Sequence, residues 1–273
     1  MKKQLIFVLF CSGIFMNLAA QKIEVKEPQL IKEVGREACY PKFTPDGKTI
    51  LLTASNYTGL RTFNLQTKKV KQLTSALGAG YNTVVSDDSK TVYYRKIDPN
   101  DDNGSCADFY SKISRKFLNS RPTSKPLIFV YTDDLKIVVE NKGEKSILTP
   151  NGADEYYIWA QLSPDKTKIV YTASTQGKTY ICDLSGNIIA GLGKLNAPQW
   201  LNNNWVIGMD DKDNGYVVVN SVIVAVTADG KIRQNLTQPF GKIAMYPAAS
   251  PTGDKIAFST LDDELYIMNV VVR

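Results

Sequence analysis

The sequence predicts an all-β fold, and more narrowly a β-propeller of four-stranded antiparallel blades. The first observation is a turn-and-strand motif that recurs along the chain at intervals of roughly 40 residues, the period of propeller blades. The second is that short apolar strands alternate with turns rich in Pro, Asp and Gly. The third is composition: 43% of the residues are hydrophobic, which is enough for a sizeable core.

The first 20 residues have the pattern of a secretory signal peptide. Lys2-Lys3 is followed by an apolar stretch over residues 5–18, and Ala19-Ala20 supplies small residues for cleavage before Gln21. A retained membrane anchor is the alternative, but the stretch is shorter than the ~20 residues that span a bilayer comfortably. We therefore expect a periplasmic or secreted chain with no membrane span once the signal is removed.

Four copies of the repeated motif align without gaps. Each starts with a hydroxyl residue, continues with turn-forming Pro, Asp or Gly, and ends in an apolar strand after a Lys. The copies are Thr44–Leu52, Ser86–Tyr94, Ser163–Tyr171 and Ser250–Phe258. A fifth copy, Pro198–Ile207, matches with a short gap.

The spacing of these copies indicates the number of blades. Ser86 and Ser163 are nearly twice as far apart as the other neighbouring copies, so we expect a degenerate copy between them, at Thr123–Val130. Six repeats predict a six-bladed propeller over residues 21–273. If the degenerate region 98–130 forms no full blade, the ring has five.

The two ends of the chain predict how the ring closes. The last copy is followed by a third strand, Leu265–Val270, whose edge near Leu265–Ile267 has no partner because the chain then stops without a fourth strand. Residues 22–26 form a spare strand before the first repeat. We expect this strand to complete the last blade, because closure removes two exposed sheet edges.

The motif Pro41-x-Phe43-Thr44-Pro45-Asp46-Gly47-Lys48-x-Ile50 resembles the WD-like repeat of TolB-type propellers. The resemblance extends over roughly residues 40–270. It implies a six-bladed propeller, a location in the cell envelope and a role in binding.

Several classes of chemistry are disfavoured. The chain has no His, which removes Ser-His-Asp triads, Cys-His pairs and imidazole zinc sites. Paired carboxylates could still make a glycosidase, but no pair stands out. The net charge of +6 is spread along the chain without the Lys/Arg run that marks nucleic-acid binding.

The cysteines and acidic loops favour structural roles. Cys182 lies in a strand-like run and is predicted to be buried, whereas Cys39 and Cys106 could form a disulfide bond in an oxidising compartment. The acidic loops 98–104 and 210–215 lack the ligand pattern of a calcium loop, and we interpret them as solvated turns. No metal and no cofactor are predicted.

One column of the repeat favours a binding site. The residue just before the first strand of each blade is aromatic in three of five copies: Tyr40, Asn82, Trp159, Ala197 and Tyr246. Tyr81, Tyr156 and Tyr157 are close by in sequence. Ring closure brings such a column together around the channel, where the rings either pack between blades or form an aromatic rim. The predicted partner-binding residues are Tyr40, Tyr81, Tyr157, Trp159 and Tyr246.

The sequence leaves three alternative functions open. The first is a monomeric protein-protein interaction module of the cell envelope that binds a protein or peptide. The second is binding of a small ligand or glycan in the propeller channel. The third, a hydrolase, has no catalytic motif in its favour, so we expect a protein that is not an enzyme.

Overall fold

The computed structural model describes residues 22–81, 83–86, 88–89, 91–97, 107–111, 117–118, 128–141, 144–238 and 240–273. These residues form antiparallel β-sheets arranged as a propeller, with one 3-10 turn at Lys32–Val34. Within these ranges, no helix is long and apolar enough to cross a membrane. The predicted signal peptide lies outside the described residues, so export stays a prediction.

The strands fall into six sheets, which we name blades A, B, D, E and F and sheet C. Two short strands, Ile23–Val25 (β1) and Gln29–Leu30 (β2), precede blade A. Blade A comprises Cys39–Phe43 (β3), Thr49–Thr53 (β4), Leu60–Asn64 (β5) and Val70–Thr74 (β6). Blade B comprises Val84–Val85 (β7), Val92–Ile97 (β8), Ala107–Ser111 (β9) and Phe117–Leu118 (β10). Sheet C comprises Phe129–Asp133 (β11), Lys136–Asn141 (β12) and Glu144–Leu148 (β13).

The second half of the chain forms three more blades in sequence order. Blade D comprises Tyr157–Leu162 (β14), Lys168–Ala173 (β15), Lys178–Asp183 (β16) and Ile188–Gly193 (β17). Blade E comprises Asn196–Asn202 (β18), Trp205–Asp213 (β19), Val218–Thr227 (β20) and Arg233–Asn235 (β21). Blade F comprises Ala244–Ala249 (β22), Lys255–Thr260 (β23) and Leu265–Val272 (β24), together with β1 and β2.

Within the described residues the ring has five four-stranded blades, not the six that the sequence predicted. Sheet C holds three strands, and one hydrogen bond indicates which strand positions of a complete blade they occupy. Tyr157 N donates to Leu135 O at 2.8 Å, just as Gly80 N donates to Tyr57 O at 3.0 Å between blades B and A. Tyr57 lies between the second and third strands of its blade, so β11 and β12 occupy those two positions. The degenerate copy predicted at Thr123–Val130 falls at this point of the chain. Its turn, residues 123–126, lies outside the described residues.

The predicted closure is confirmed, with a correction to its register. β1 pairs antiparallel with residues 270–272 of β24, whereas the sequence had placed this contact near Leu265–Ile267. β2 takes that inner part instead, pairing with Tyr266 and Ile267. β24 is eight residues long, so two short strands are needed to cover its edge. The fourth strand of blade F is therefore supplied by both β1 and β2.

The repeated turns have the structure that their sequence predicts. In each, the first hydroxyl donates to an Asp carboxylate, as Ser163 Oγ does to Asp165 Oδ1 at 2.6 Å. The fourth residue has positive φ in all four copies, and at Gly253 a Cβ would stand 2.8 Å from Leu201 O. The turns also link neighbouring blades, since Asp165 N donates to Asn203 Oδ1 at 3.0 Å.

Strand direction divides the molecule into two faces. The turns between first and second strands lie on one side, which we call the turn face, together with the loops between third and fourth strands. The hairpins between second and third strands lie on the other side with the connections between blades, and we call this the rim face. The antiparallel order within each blade requires this division.

The core lies between adjacent blades. Between blades E and F it includes Trp205, Phe258 and Met268, and all three side chains are fully buried. Ile23 of β1 joins this cluster, which secures the closing strand. Full burial of each such side chain contributes roughly 1.5–3 kcal/mol, so the ring depends on contacts between blades.

The cysteines have structural surroundings. Cys182 is a buried free thiol, as predicted, and burial raises its pKa to about 12. Cys39 is also a free thiol, and its Sγ donates to Asp263 Oδ1 at 2.9 Å. Cys106, the proposed disulfide partner, lies outside the described residues.

Candidate functional site

A backbone irregularity recurs in the innermost strand of four blades. The strand pairing shifts there by a β-bulge or irregularity, and one residue takes a left-handed conformation with φ between 46° and 55°. These residues are Tyr40, Trp159, Ala197 and Tyr246. The column expected just before the first strand therefore lies inside it. Asn82, the fifth member, lies outside the described residues.

The left-handed conformation is unfavourable for bulky side chains, so its repetition has a structural consequence. An L-residue other than Gly at positive φ costs of order 1–2 kcal/mol. A bulge redirects the side chain relative to a regular strand. All four side chains line one cavity at the centre of the ring, so the irregularity places them at the channel.

Four tyrosines form a row, the tyrosine ladder, which begins with Tyr246 and Tyr40 in this cavity and continues with Tyr57 and Tyr81 along a second, neighbouring cavity. Tyr40 stacks on Tyr57 with ring centroids 4.3 Å apart, and its other neighbour is Tyr246 at 4.4 Å. Tyr57 meets Tyr81 edge to face at 5.4 Å. Such ring pairs contribute beyond the area that they bury. The ladder joins three residues that the sequence had selected with one, Tyr57, that it had missed.

Tyr40 and Tyr246 are uncharged at neutral pH, because both have a raised pKa. Burial is the main cause that raises the pKa of Tyr40, and a hydrogen bond with Tyr57 raises it further. Burial also raises the pKa of Tyr246. The Tyr40 hydroxyl donates to Ser55 O at 3.2 Å, which ties the ladder to the hairpin of blade A.

The remaining predicted residues separate into exposed and buried positions. Trp159 lines the same cavity as Tyr40 and Tyr246, and its side chain is 37% exposed. Tyr157 is completely buried, with Asn151 N donating to its hydroxyl and the hydroxyl donating to Gly152 O, each at 2.9 Å. The prediction that Tyr157 contacts a partner is corrected for this reason: its ring packs in the core.

Beside a second cavity of about 950 Å³, which Asp133 and Asp134 line and which shares Lys42, Trp159 and Gln161 with it, the cavity at the centre of the ring has a volume of about 370 Å³. Below the aromatic residues it is lined by Lys42, Gln161 and Gln199, which stand two positions after the left-handed residues of their strands. Lys42 Nζ donates to Thr83 O at 2.7 Å. None of its described lining residues is a carboxylate. The channel can therefore offer amide and ammonium groups beside aromatic rings.

The two faces differ in what they expose. Several large apolar side chains on the rim face are well exposed, including Tyr81 at 46% and Tyr216 at 95%. The others are Leu77, Leu135, Tyr156, Trp159, Val217, Val219 and Leu261. In the described loops of the turn face, no large apolar side chain is exposed, but the strand ends on that side expose Val70, Ile188, Val271 and Val272. Tyr216, Val217 and Val219 belong to the hairpin of blade E, whereas the other exposed residues come from different blades and connections.

The acidic segment 210–215 is not wholly the solvated turn that the sequence predicted, because β19 continues to Asp213 and Asp211 is buried. Asp210 forms a salt bridge with Arg233 at 2.8 Å, and Asp213 Oδ1 accepts from Gly215 N at 2.9 Å in the hairpin turn. Asp211 Oδ1 accepts from Asn196 Nδ2 at 2.7 Å. Among the described residues, no group of three or more acidic or Cys residues is placed to hold a metal ion. Residues 98–104 lie outside the described residues.

These features define a class: a β-propeller whose central channel opens through an aromatic rim. The sequence matches no protein-family model and no curated protein. Solved structures do resemble the fold. TolB from Acinetobacter baumannii is similar at 20% identity and a TM-score of 0.54, covering 74% of this chain and 54% of that one. This chain thus spans about half the length of that TolB chain.

Two further structures show the same likeness. An oligogalacturonate lyase from Vibrio parahaemolyticus matches at 13% identity and a TM-score of 0.54, covering 91% of this chain and 96% of that one. A Kuenenia stuttgartiensis hydrazine synthase matches at 14% identity and a TM-score of 0.52, covering 82% and 74% of the two chains. At such identities the likeness shows the fold alone.

Proposed function

We propose that this chain is an exported propeller of the cell envelope that binds a protein or peptide through its rim face. The observation that carries the proposal is the concentration of exposed aromatic and aliphatic side chains on that face, around the tyrosine ladder and Trp159. Aromatic residues of this type are enriched in binding hot spots. The connections between blades on the same face can vary without disturbing the strands, so they can supply specificity.

Envelope location is the second part of the proposal, and the sequence supports it. Lys2-Lys3, the apolar stretch over residues 5–18 and Ala19-Ala20 give the order of a cleaved signal. The test is the intact mass of the protein recovered from its native host. We expect loss of about twenty residues, with Gln21 at the new terminus. Recovery of the full chain from the membrane fraction would contradict this.

Binding is tested by capture from an envelope extract, followed by affinity measurement with the protein identified. Trp159→Ala and Tyr246→Ala should each weaken binding at least about tenfold, since a hot-spot truncation costs ~2 kcal/mol or more. Ile189→Ala is the matched control, because Ile189 is 51% exposed but lies on the outer strand of blade D. Lost stability with unchanged affinity would show that the rim is only packing.

We also propose that sheet C is the sixth unit of the ring. The support is its position between blades B and D in sequence, and the equivalence of β11 and β12 to second and third strands. A crystal structure showing five units with no gap between blades B and D would refute it.

A small ligand or glycan in the channel is the second candidate. The convergence of Lys42, Gln161 and Gln199 below the aromatic rings favours it, because glycans bind through amide hydrogen bonds and ring stacking. Thermal shift against a panel of sugars is the test. Gln199→Ala should abolish any shift that arises in the channel, whereas Gln238→Ala on the rim connection should not.

A further inference from the structure

The rim face carries negative charge although the whole chain has a net charge of +6. Its described hairpins, taken together with the strand ends that lead into them, lie within residues 54–59, 133–136, 174–178, 210–217 and 261–264. The acidic residues there outnumber the basic ones. The acids are Asp133, Asp134, Asp210, Asp211, Asp213, Asp262, Asp263 and Glu264, and the bases are Lys136, Lys178 and Lys212.

Several cations of this face are held by groups of the chain itself. Lys136 Nζ donates to Glu155 O at 2.8 Å, and Lys242 Nζ lies 2.6 Å from Glu264 Oε2. Arg61 donates to Val34 O at 3.0 Å through Nη1. These contacts partly satisfy the positive groups, so their charge is directed toward the chain itself rather than toward solvent.

Some acids of this face are paired as well, Asp210 with Arg233 and both Asp262 and Glu264 with Lys242, whereas others stand toward solvent around the aromatic surface. Asp133, Asp134, Asp154 and Asp213 are exposed. Asp133 and Asp134 adjoin the exposed Leu135, and Asp154 precedes Tyr156 by two residues. Acidic side chains thus alternate with apolar ones on the surface that the proposed function assigns to the partner.

The tyrosine ladder has the electrostatics of a cation acceptor. The face of an aromatic ring is electron-rich and attracts an ammonium or guanidinium group within about 6 Å of its centre. Tyr57 and Tyr81 lie at the outer end of the ladder, and Tyr81 is well exposed. Rings and carboxylates on one surface therefore favour the same kind of side chain.

We propose that the rim face binds a basic segment of a protein partner, with Lys or Arg side chains over the ladder and Trp159 and the surrounding carboxylates neutralising their charge. The segment lies across the channel mouth, because Lys42 already places a positive charge inside the channel. This inference rests on the proposed function and adds the chemistry of its partner. Complementary charge contributes mainly to specificity and to the rate of association.

The test uses three fluorescein-labelled peptides of equal length that alternate Tyr, Leu and Gly with Arg, Gln or Glu. Anisotropy titrations measure their affinities for residues 21–273. The Arg peptide should bind at least about tenfold more tightly than the Gln peptide, and the Glu peptide should bind most weakly. The Arg affinity should fall on raising salt from about 0.05 to about 0.5 M, because screening weakens exposed charge pairs.

Charge variants assign the effect to the rim. The triple variant Asp133→Asn, Asp134→Asn and Asp154→Asn should weaken the Arg peptide at least about fivefold. A control triple, Glu24→Gln, Glu27→Gln and Glu144→Gln, makes the same change in net charge on exposed positions away from the rim, and should change affinity less than about twofold. Melting curves of both triples confirm that they are folded.

The outcomes separate this inference from the proposed function. Equal affinity for the Arg and Gln peptides, or equal effects of the two triples, overturns the basic-segment inference. If Trp159→Ala still loses the captured partner in that case, the rim-face function stands without it. If Trp159→Ala and Tyr246→Ala also leave capture unchanged, both fail.

Discussion

The two faces of the propeller are built from the same repeat, yet they have different chemistry. On the turn face, polar groups satisfy one another: Ser163 donates to Asp165, and the same hydroxyl accepts from Lys168 N at 2.9 Å. On the rim face, aromatic rings stand at strained bulges and remain partly exposed, as Trp159 does. The repeated turn sequence therefore maintains the fold, while the variable positions on the opposite face are available for binding.

The largest effect should come from the closure that both faces share. Ile23→Ala removes a fully buried side chain from the core of blade F and should lower the free energy of unfolding by about 2–5 kcal/mol. Val25→Ala on the same strand is the control, because Val25 is partly exposed and should cost much less. Thermal and urea melts measure both. Equal effects would show that β1 is not held by its buried contact.

Deleting residues 22–30 extends the same test to the whole ring. The deletion leaves one edge of β24 without β1 and β2 and exposes apolar blade surface, so cooperative melting should be lost. A deletion variant that melts at the temperature of the intact chain would contradict the closure described here.

On the turn face, a substitution should affect stability and leave binding unchanged. Ser163→Ala removes the buried acceptor for Lys168 N and the donor to Asp165, at a cost of about 1–3 kcal/mol. Ser163→Thr keeps the hydroxyl and is the control. Chemical denaturation and partner affinity are measured in parallel. A large loss of affinity in folded Ser163→Ala would break the division between the faces.

On the rim face, a substitution should remove binding, and backbone strain should decide how much stability is lost. Trp159 has φ 55°, where Gly is favoured over Ala by about 1–2 kcal/mol. Trp159→Gly should therefore be more stable than Trp159→Ala, although both should lose binding equally. A more stable Ala variant would show that the left-handed conformation is not maintained in solution.

The smallest effect concerns acid. Hydrogen bonds from Ser163 and Thr167 lower the pKa of Asp165 from 3.8 to about 2, and those from Lys255, Thr252 and Ser250 do the same for Asp254. A depressed pKa contributes stability above the unfolded value, and this is lost as pH falls from about 4 toward about 2. Asp165→Asn should flatten that part of the stability profile. An unchanged profile would show that this turn carries no such linkage.

Much of the fold could be predicted because its signals are local. The turns at Thr44 and Ser250 contain the residues that their backbone needs, and the spare strand at residues 22–26 indicated closure. The blade count failed at Thr123–Val130, where the copy lacks Asp and Gly in its turn. The predicted register of β1 against β24 was also wrong, because nothing in the local sequence distinguishes pairing at Tyr266 from pairing at Val271.

The site was predicted less completely, because side-chain contacts across blades leave no trace in one sequence. Tyr40 and Tyr246 share a repeat column, so the sequence could place them together. Tyr57 belongs to the hairpin between the second and third strands rather than to that column. Only the up-and-down direction of successive strands indicates that this hairpin lies on the same face as the column. Tyr157 is adjacent in sequence to the exposed Tyr156, but its side chain is buried in the core. Successive side chains of a strand point to opposite faces, so adjacency in sequence does not imply a shared surface.

The pairing of β1 with β24 also has a kinetic meaning. It joins Ile23 to Val272, nearly the full length of the described chain, so the ring cannot close until the last strand is available. Entropy makes such a long loop only slightly costly for equilibrium, since its cost grows with the logarithm of length. Folding rate is more sensitive, because distant contacts slow the search for the native topology. A circular permutant that begins between blades would make blade F from one continuous segment and should fold faster.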